Sequence, residues 1–231
     1  MSMTRGRFDE EIRTLQERIL EMATCTDMML ALAIESLITG DVAMVKDVIR
    51  RDNTVDQLDI DIESKCLRLI ATEQPVARDL RIIGTALKVI TDIERIGDYA
   101  VDIAKIGRRM VRAQEIYRPL VDLPRLANLS RAMLNDALQA FVNHDLILVD
   151  KVIRDDDAVD ALYHQMRDQL SQMIVQEPTR GLLALNVLFA AKYLERVSDH
   201  VVNMAERVCF IETGELKYNA NSSLASGVEA F

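Results

Sequence analysis

The 231-residue sequence is poor in the residues that interrupt helices or build large aromatic cores. It has no Trp, five Tyr, five Phe, four Pro and eight Gly. Leu, Ala and Arg are abundant instead, and these residues form helices readily. The scarcity of Gly and Pro, taken with this composition, predicts an all-α protein.

The sequence also lacks cysteine pairs and a long apolar run. Cys25, Cys66 and Cys209 are odd in number and follow no metal or disulfide spacing, so they are predicted to be buried apolar residues. The most apolar run, Leu182 to Ala191, is too short to cross a bilayer. The charged N-terminal stretch does not have the pattern of a signal peptide. We therefore expect a cytoplasmic protein with no membrane span.

Acidic residues outnumber basic ones, and the formal net charge is −9. Nucleic-acid backbones bind to basic faces, so this charge argues against a nucleic-acid partner. It is compatible with a cation ligand or with a protein partner that has a basic surface. No catalytic triad or Gly-rich phosphate loop is present, so the protein is not expected to be an enzyme.

The sequence contains two copies of one long unit. A shift of 104 positions superposes the second predicted helix of each copy, including Asp52 on Asp156. A shift of 101 positions superposes the third predicted helix and places Glu94 on Glu195. A repeat of this length indicates a duplicated domain rather than a short-repeat solenoid.

Each copy is predicted to form three antiparallel helices in an up-down-up, spectrin-like bundle. Gly40 ends the first helix, and Asp41 is the expected N-cap of the second. The fold is therefore predicted to be all-α, with two tandem three-helix bundles related by a pseudo-twofold axis. The predicted helices span residues 8–39, 41–72, 75–111, 123–143, 145–176 and 178–211. The predicted domains are 1–114 and 125–213, joined by a linker at 115–124 and followed by a flexible tail at 214–231.

Both copies carry acidic pairs one helical turn apart on the second and third helices. Like charges at this spacing repel each other, so a nearby positive charge would stabilise them. Helical periodicity places the third-helix acids on the shoulder of the buried apolar stripe. The pairs are Asp52/Asp56 and Glu94/Asp98 in the first copy and Asp156/Asp160 and Glu195/Asp199 in the second, extended by Asp102 and Asn203.

Three interpretations of these pairs remain open. If the helices bring four or more carboxylates together, their oxygens suit hard or borderline cations such as Mg, Mn, Fe or Zn. Arg95 and Arg196 favour instead a solvated, charged face on a helical scaffold without metal. A carboxylate-bridged redox or metal-storage protein is the third. The three His residues, His144, His164 and His200, lack the Glu-x-x-His spacing of di-iron sites.

Two segments resemble the repeat signatures of the PhoU family of phosphate-uptake regulators. The first is QPVARDLR from Gln74 to Arg81, followed by ALKVITDIERIGDYAVDIA, and the second is AAKYLERVSDHVVNMAERV. The resemblance covers residues 7 to 214. It implies two three-helix bundles and a cytoplasmic negative regulator of phosphate uptake and of the phosphate-starvation response. The implied partners are the ATPase subunit of the phosphate ABC transporter and a phosphate-sensing histidine kinase, and a homodimer is a further expectation.

The resemblance also implies metal binding through the acidic motifs that contain Glu94/Asp98 and Glu195/Asp199. The next turn has Asp102 in the first copy but Asn203 in the second. We therefore expect the first copy to have the more acidic third helix and the tighter site, unless the acids at positions 155–157 offset the difference. Arg78 and Arg81, at the start of the third helix, are expected to form ion pairs with a neighbouring helix rather than an anion site.

Overall fold

The structure, a computed structural model, describes residues 2–115, 117 and 119–215, with side chains from residue 6 onward. Within these ranges the chain forms six α-helices, one short 3-10 turn at Pro178–Arg180 and no β-strand. The predicted all-α fold is confirmed. The helices are α1 (Ser2–Thr39), α2 (Val42–Glu73), α3 (Arg78–Arg112), α4 (Leu123–Asn143), α5 (Leu146–Gln176) and α6 (Gly181–Thr213).

The helices form two bundles, and each bundle contains one copy of the repeat. In each half every helix packs against the other two, α1 with α2 and α3, and α4 with α5 and α6. The halves join chiefly along α3 and α6, with a smaller contact between α1 and α4. Buried apolar residues from all six helices form one hydrophobic core. The prediction of two tandem three-helix bundles is therefore confirmed.

Acidic N-caps start the second helix of each bundle. The Asp41 carboxylate accepts a hydrogen bond from the Ala43 backbone N–H at 2.7 Å, and Asp145 accepts one from Ile147 at 2.8 Å. These bonds satisfy N–H groups that have no partner within the first helical turn. Gly40 has a φ of +74°, as expected of the residue that ends α1, and the predicted cap at Asp41 is confirmed.

Three helix starts lie three or more residues from the prediction. α3 begins at Arg78 rather than at residue 75, because Gln74 and Ala77 have φ values of +48° and +49° that lie outside the helical region. Pro178 opens the 3-10 turn, and α6 follows from Gly181. α1 begins at Ser2, six residues before its predicted start at residue 8.

The predicted linker and tail fall partly outside the described residues. α4 begins at Leu123, inside the predicted linker at 115–124, and residues 116 and 118 of that linker are not described. Gly214 has a φ of +76° and ends α6. The rest of the predicted tail lies outside the described residues, apart from Glu215.

Among the described helices, α1 alone is long and apolar enough to cross a membrane by length and composition. Of its most apolar stretch, 56% is buried inside the bundle. Ile19, Met22 and Leu30 are fully buried against the other helices. A core helix satisfies the same criteria as a membrane span, and packing accounts for the apolar character of α1.

Two central contacts join α3 to α6, and the pseudo-twofold axis relates them. The rings of Tyr99 and Tyr193 stack with centroids 5.7 Å apart, and His200 Nδ1 lies 2.8 Å from Asp92 Oδ1. A shift of 101 positions converts Tyr99 into His200 and Asp92 into Tyr193. The two contacts therefore occupy equivalent positions in the two repeats. One is a pair of stacked tyrosine rings, and the other is a polar pair of Asp92 and His200.

Candidate functional site

Carboxylates from α2 and α3 share one electrostatic environment in the first repeat. Asp52 Oδ1 lies 3.9 Å from the position that a Cβ would occupy on Gly97, an ordinary contact distance, so Asp52 of α2 packs beside the backbone of α3. Desolvation, followed by the charges of Asp56 and Asp98, raises the pKa of Asp52. Desolvation and then the charge of Asp98 raise the pKa of Glu94 in the same way. Four of the predicted site residues therefore act on one another.

Two further acids lie at the ends of this cluster. Asp102 adds its charge to the environment of Asp52, but its own carboxylate pairs with Lys105 at 3.1 Å. Asp59, on α2, has a pKa raised by desolvation and then by Glu63, and its charge also acts on Glu94. The first-repeat cluster is thus larger than the predicted set, because Asp59 belongs to it.

Arginine neutralises part of the first cluster. Arg95 donates a hydrogen bond to Asp98 at 3.0 Å, and its Nε lies 3.5 Å from Glu94. These side chains are largely exposed, so the pairing contributes little free energy. Asp52 and Asp56 have no basic partner within ion-pair distance in the described part of the chain. The solvated-face interpretation therefore applies to Glu94 and Asp98, which pair with Arg95. It does not apply to Asp52 and Asp56.

Asp156, on α5, is the most strongly perturbed acid in the second repeat. Desolvation, followed by the charges of Asp160 and Asp199, raises the pKa of Asp156 to about 7. Its Oδ1 atom is buried and has no hydrogen-bond partner among the described residues. A buried polar atom without a partner costs free energy. The second cluster therefore holds negative charge that its surroundings do not compensate.

The other predicted acids of the second repeat surround Asp156. Desolvation and then the charge of Glu195 raise the pKa of Asp199 to about 6. Desolvation and then Glu195 also raise the pKa of Asp160. Asn203 is exposed and brings no charge, whereas Asp156 adds a desolvated carboxylate, so the expected tighter binding by the first copy stays a prediction.

The sequence analysis missed a lysine in this second cluster. Lys192 Nζ lies 2.6 Å from both carboxylate oxygens of Glu195 and 5.2 Å from the centre of the Tyr163 ring. Its counterpart in the first repeat is Thr91. Comparison of the two repeats position by position, rather than acid by acid, would have identified this lysine.

The residues present fit a divalent cation once these basic partners are displaced. In the side-chain conformations of the described chain, no group of three or more His, Cys, Asp or Glu residues is arranged to hold a metal ion. Arg95 and Lys192 instead hold three of the acids. The unpartnered Asp156 Oδ1 and the raised pKa values mark an excess of negative charge. A cluster of carboxylate oxygens is the ligand set that hard cations prefer.

Cysteine does not contribute to either cluster. Cys25, Cys66 and Cys209 are buried free thiols, as predicted. Desolvation raises the pKa of Cys66 to about 12, so this thiol stays protonated and is a poor metal ligand.

Arg78 and Arg81 tie the start of α3 to the end of α6. Arg78 pairs with Glu212 at 2.6 Å, and Arg81 Nε donates a hydrogen bond to the Ile211 carbonyl at 2.9 Å. Cationic side chains at a helix C-terminus satisfy its last carbonyls and oppose its partial negative charge. The expected ion pair with a neighbouring helix is confirmed for Arg78, and it links the two repeats.

The fold and these clusters define a class of protein: a duplicated three-helix bundle with matching acidic pairs in each copy. The family model for the PhoU domain matches residues 19–107 and 123–208, once in each repeat. The chain belongs to the PhoU family. The family consists of accessory and regulatory proteins rather than enzymes, which confirms the prediction that the protein is not an enzyme.

Relatives match along almost their whole length. A phosphate-specific transport system accessory protein PhoU homolog from Clostridium acetobutylicum is 33% identical over 214 residues, covering 92% of this chain and 97% of that protein. The homolog from Aquifex aeolicus is 35% identical, covering 90% and 93%. The crystal structure of PhoU from Pseudomonas aeruginosa matches with a TM-score of 0.85 at 29% identity, covering 90% of this chain and 100% of that one. The phosphate transport system regulatory protein PhoU from Streptococcus pneumoniae matches with a TM-score of 0.81 at 28% identity, covering 90% and 98%.

Proposed function

We propose that this protein is a cytoplasmic accessory regulator of phosphate-specific transport that holds the phosphate-starvation response off when phosphate is abundant. The observation that carries the proposal is the match of the PhoU domain to both repeats, with relatives named as accessory proteins of phosphate transport. In this proposal the protein couples the ATPase subunit of the phosphate ABC transporter to a phosphate-sensing histidine kinase. It acts by binding these partners and catalyses no reaction.

We propose further that each repeat binds metal ions, of which Mg, Mn, Fe and Zn are the candidates. Asp52, Asp56, Glu94, Asp98 and Asp102 would hold the metal in the first repeat. A bound cation supplies positive charge that neutralises the carboxylates and links neighbouring helices. The raised pKa values of Asp52 and Glu94 support this assignment, because desolvation and then neighbouring carboxylates disfavour the charged form of both acids, and Arg95 offsets this only in part for Glu94.

In the second repeat Asp156, Asp160, Glu195 and Asp199 would hold the metal, with the amide of Asn203 at the end of the ladder. The support is stronger here, because the buried Oδ1 atom of Asp156 has no hydrogen-bond partner in the part of the chain that the structure describes. Metal binding in both repeats would stiffen the contacts between α2 and α3 and between α5 and α6. The remaining surfaces would then dock the two partners.

Deletion of the gene tests the regulatory proposal. In medium rich in phosphate, we expect a reporter driven by a phosphate-starvation promoter to become active in the deletion strain and to return to its repressed level on complementation. Co-purification with the transporter ATPase subunit and with the histidine kinase tests the partners. A reporter that stays repressed in the deletion strain would contradict the regulatory role.

Light scattering during size-exclusion chromatography tests the expected homodimer. The monomer mass is 26.1 kDa, so a dimer would elute at about twice this mass. A mass of one chain across the physiological concentration range would contradict the dimer and leave the regulatory proposal intact.

A further inference from the structure

We propose that Lys192 is an internal counter-cation of the second-repeat cluster, which a divalent cation must displace in order to bind. The first repeat has Thr91 at the equivalent position, so a cation there displaces the exposed Arg95 and no such lysine. The inference rests on the proposed metal binding, and it assigns Lys192 as the residue that sets the difference in affinity between the two sites.

The contacts of Lys192 place its charge among the proposed ligands. Its Nζ lies 2.6 Å from each carboxylate oxygen of Glu195, a two-point contact that occupies both oxygens. The Glu195 side chain is 13% exposed, so this pair is partly shielded from water. Shielding strengthens the attraction between the charges. A cation that binds Glu195 therefore competes directly with the ammonium group.

The charge of Lys192 reaches beyond Glu195. The ammonium charge of Lys192 also acts on the carboxylates of Asp160 and Asp199. The charges that act most strongly on Asp156 are those of other carboxylates, and its buried Oδ1 atom has no hydrogen-bond partner among the described residues. Lys192 thus offsets the negative charge of Glu195, Asp160 and Asp199. It leaves the negative charge at Asp156 without a partner in the described part of the chain.

The side chain has space to move when it is displaced. Lys192 is 39% exposed, and its Nζ already lies 5.2 Å from the centre of the Tyr163 ring. An ammonium group that leaves Glu195 can retain favourable contact with the ring face and with water. The exchange therefore needs a rotation of one side chain and no change in the helices.

The first repeat differs at both of these positions. Thr91 occupies the position equivalent to Lys192, and its hydroxyl donates a hydrogen bond to the Leu87 carbonyl on its own helix. Asp59 occupies the position equivalent to Tyr163. The first cluster thus has the carboxylate of Asp59 where the second has the Tyr163 ring. It has the neutral hydroxyl of Thr91 where the second has the ammonium group of Lys192. Arg95 pairs with the first cluster from its exposed side.

Calorimetric titration of the metal-free full chain with Mn²⁺ tests the role of Lys192. The second site is measured alone in the Glu94→Ala/Asp98→Ala background, with Lys192→Met to remove the charge and keep the stem. We expect Lys192→Met to bind Mn²⁺ roughly five- to tenfold more tightly than the background protein. Lys192→Arg keeps the charge and should leave the affinity within about twofold.

The reciprocal change provides the matched control. In the Glu195→Ala/Asp199→Ala background, Thr91→Lys should weaken Mn²⁺ binding at the first site by a similar factor. Melting temperatures measured without metal provide a second readout. Without metal, the melting temperature of Lys192→Met should be lower than that of its parent, because the acids lose their counter-charge. Addition of Mn²⁺ should raise the melting temperature of Lys192→Met by more than that of the parent.

The outcomes separate the two proposals. If neither background nor any variant binds Mn²⁺, the metal-binding proposal fails, and this inference fails with it. If Mn²⁺ binds but Lys192→Met leaves the affinity unchanged or weakens it, metal binding stands and the role of Lys192 is overturned. Lys192→Thr, which carries the residue of the first repeat, repeats the test if Lys192→Met does not fold.

Discussion

Asp27 and Arg131 form a two-point ion pair across α1 and α4, with N–O distances of 2.7 and 2.8 Å. The two residues lie 104 positions apart, which is the offset that relates the two repeats. A residue here contacts its own counterpart, so the pair lies on the pseudo-twofold axis. Two identical charges at this point would repel each other. The two repeats have an acid and a base at this position, and the resulting ion pair adds to the contacts that join the two bundles.

Breaking this pair should destabilise the protein. The side chains are 20% and 32% exposed, so removal of either one leaves a partly buried charge without its partner. We expect Asp27→Ala or Arg131→Ala to lower the free energy of unfolding by about 2 kcal/mol in urea titrations. The charge swap Asp27→Arg/Arg131→Asp should recover at least half of the loss. Arg18→Ala, which removes an exposed pair with Glu21, is the control and should cost less than about 0.5 kcal/mol. A swap no more stable than the single variants would contradict the pairing.

Close packing of α1 against α3 depends on Gly107. A Cβ at this position would lie 3.0 Å from Leu37 Cα and 3.2 Å from Leu37 N, both backbone atoms that cannot move aside. Gly107→Ala should therefore lower the melting temperature by about 5 °C, the equivalent of about 2 kcal/mol.

Gly84→Ala, on the same helix, is the matched control for this prediction. A Cβ at Gly84 would meet no described atom within 4 Å. Alanine also favours the helix over glycine, so this variant should gain about 0.5 kcal/mol. Equal effects at the two glycines would show that helix propensity, and not the contact with Leu37, determines the result.

The elevated pKa of Asp156 predicts a pH dependence of stability. This pKa is about 7 in the folded chain, whereas an unperturbed Asp titrates at about 3.9. The folded state therefore binds the proton more tightly, and the contribution of Asp156 to stability falls as the pH rises from about 4 to about 7. With chelator present, Asp156→Asn should raise the free energy of unfolding at pH 8 by about 2 kcal/mol and change it little at pH 4.

The exposed Asp150→Asn, also on α5, provides the control for the pH series. We expect it to follow the parent protein at every pH. If Asp156→Asn gives the same stability difference at pH 4 and at pH 8, the folded carboxyl does not carry a raised pKa. Added Mn²⁺ should cancel the advantage of Asp156→Asn, since the metal needs the ionised carboxylate.

The contact of Arg81 with the end of α6 should protect that helix from local opening. Arg81 donates to the Ile211 carbonyl, whereas the equivalent position in the second repeat is Leu182. Arg81→Leu should increase amide hydrogen exchange in the last turn of α6 by roughly tenfold. Exchange in the middle of α6 should not change. Uniform acceleration along α6 would point to global destabilisation instead.

Local sequence signals predicted most of the fold. Asp41 caps α2 as expected, because its side chain needs only the backbone of its own turn. The start of α3 was missed because Ala77 is not glycine and yet has a φ of +49°. Its conformation depends on how the connection packs, and the composition of the segment gives no sign of it.

Local signals predicted less of the candidate site. Periodicity placed Glu94 and Asp98 beside the apolar stripe, where they act on the acids of α2. It did not show that Asp156 is the most strongly perturbed acid, because burial at that position depends on how α5 packs against α6. The part played by Lys192 was also missed, since a lysine three residues before a Glu is common on exposed helices.

In the proposed function, the acidic clusters between α2 and α3 and between α5 and α6 bind divalent cations. Crystals grown with Mn²⁺ and without chelator, measured for anomalous scattering near the manganese absorption edge, provide the decisive measurement of this claim. We predict anomalous peaks within coordination distance of Asp52 and Glu94 in the first repeat and of Asp156 and Glu195 in the second. A map without peaks at either cluster, with Arg95 and Lys192 still in contact with the acids, would contradict the claim.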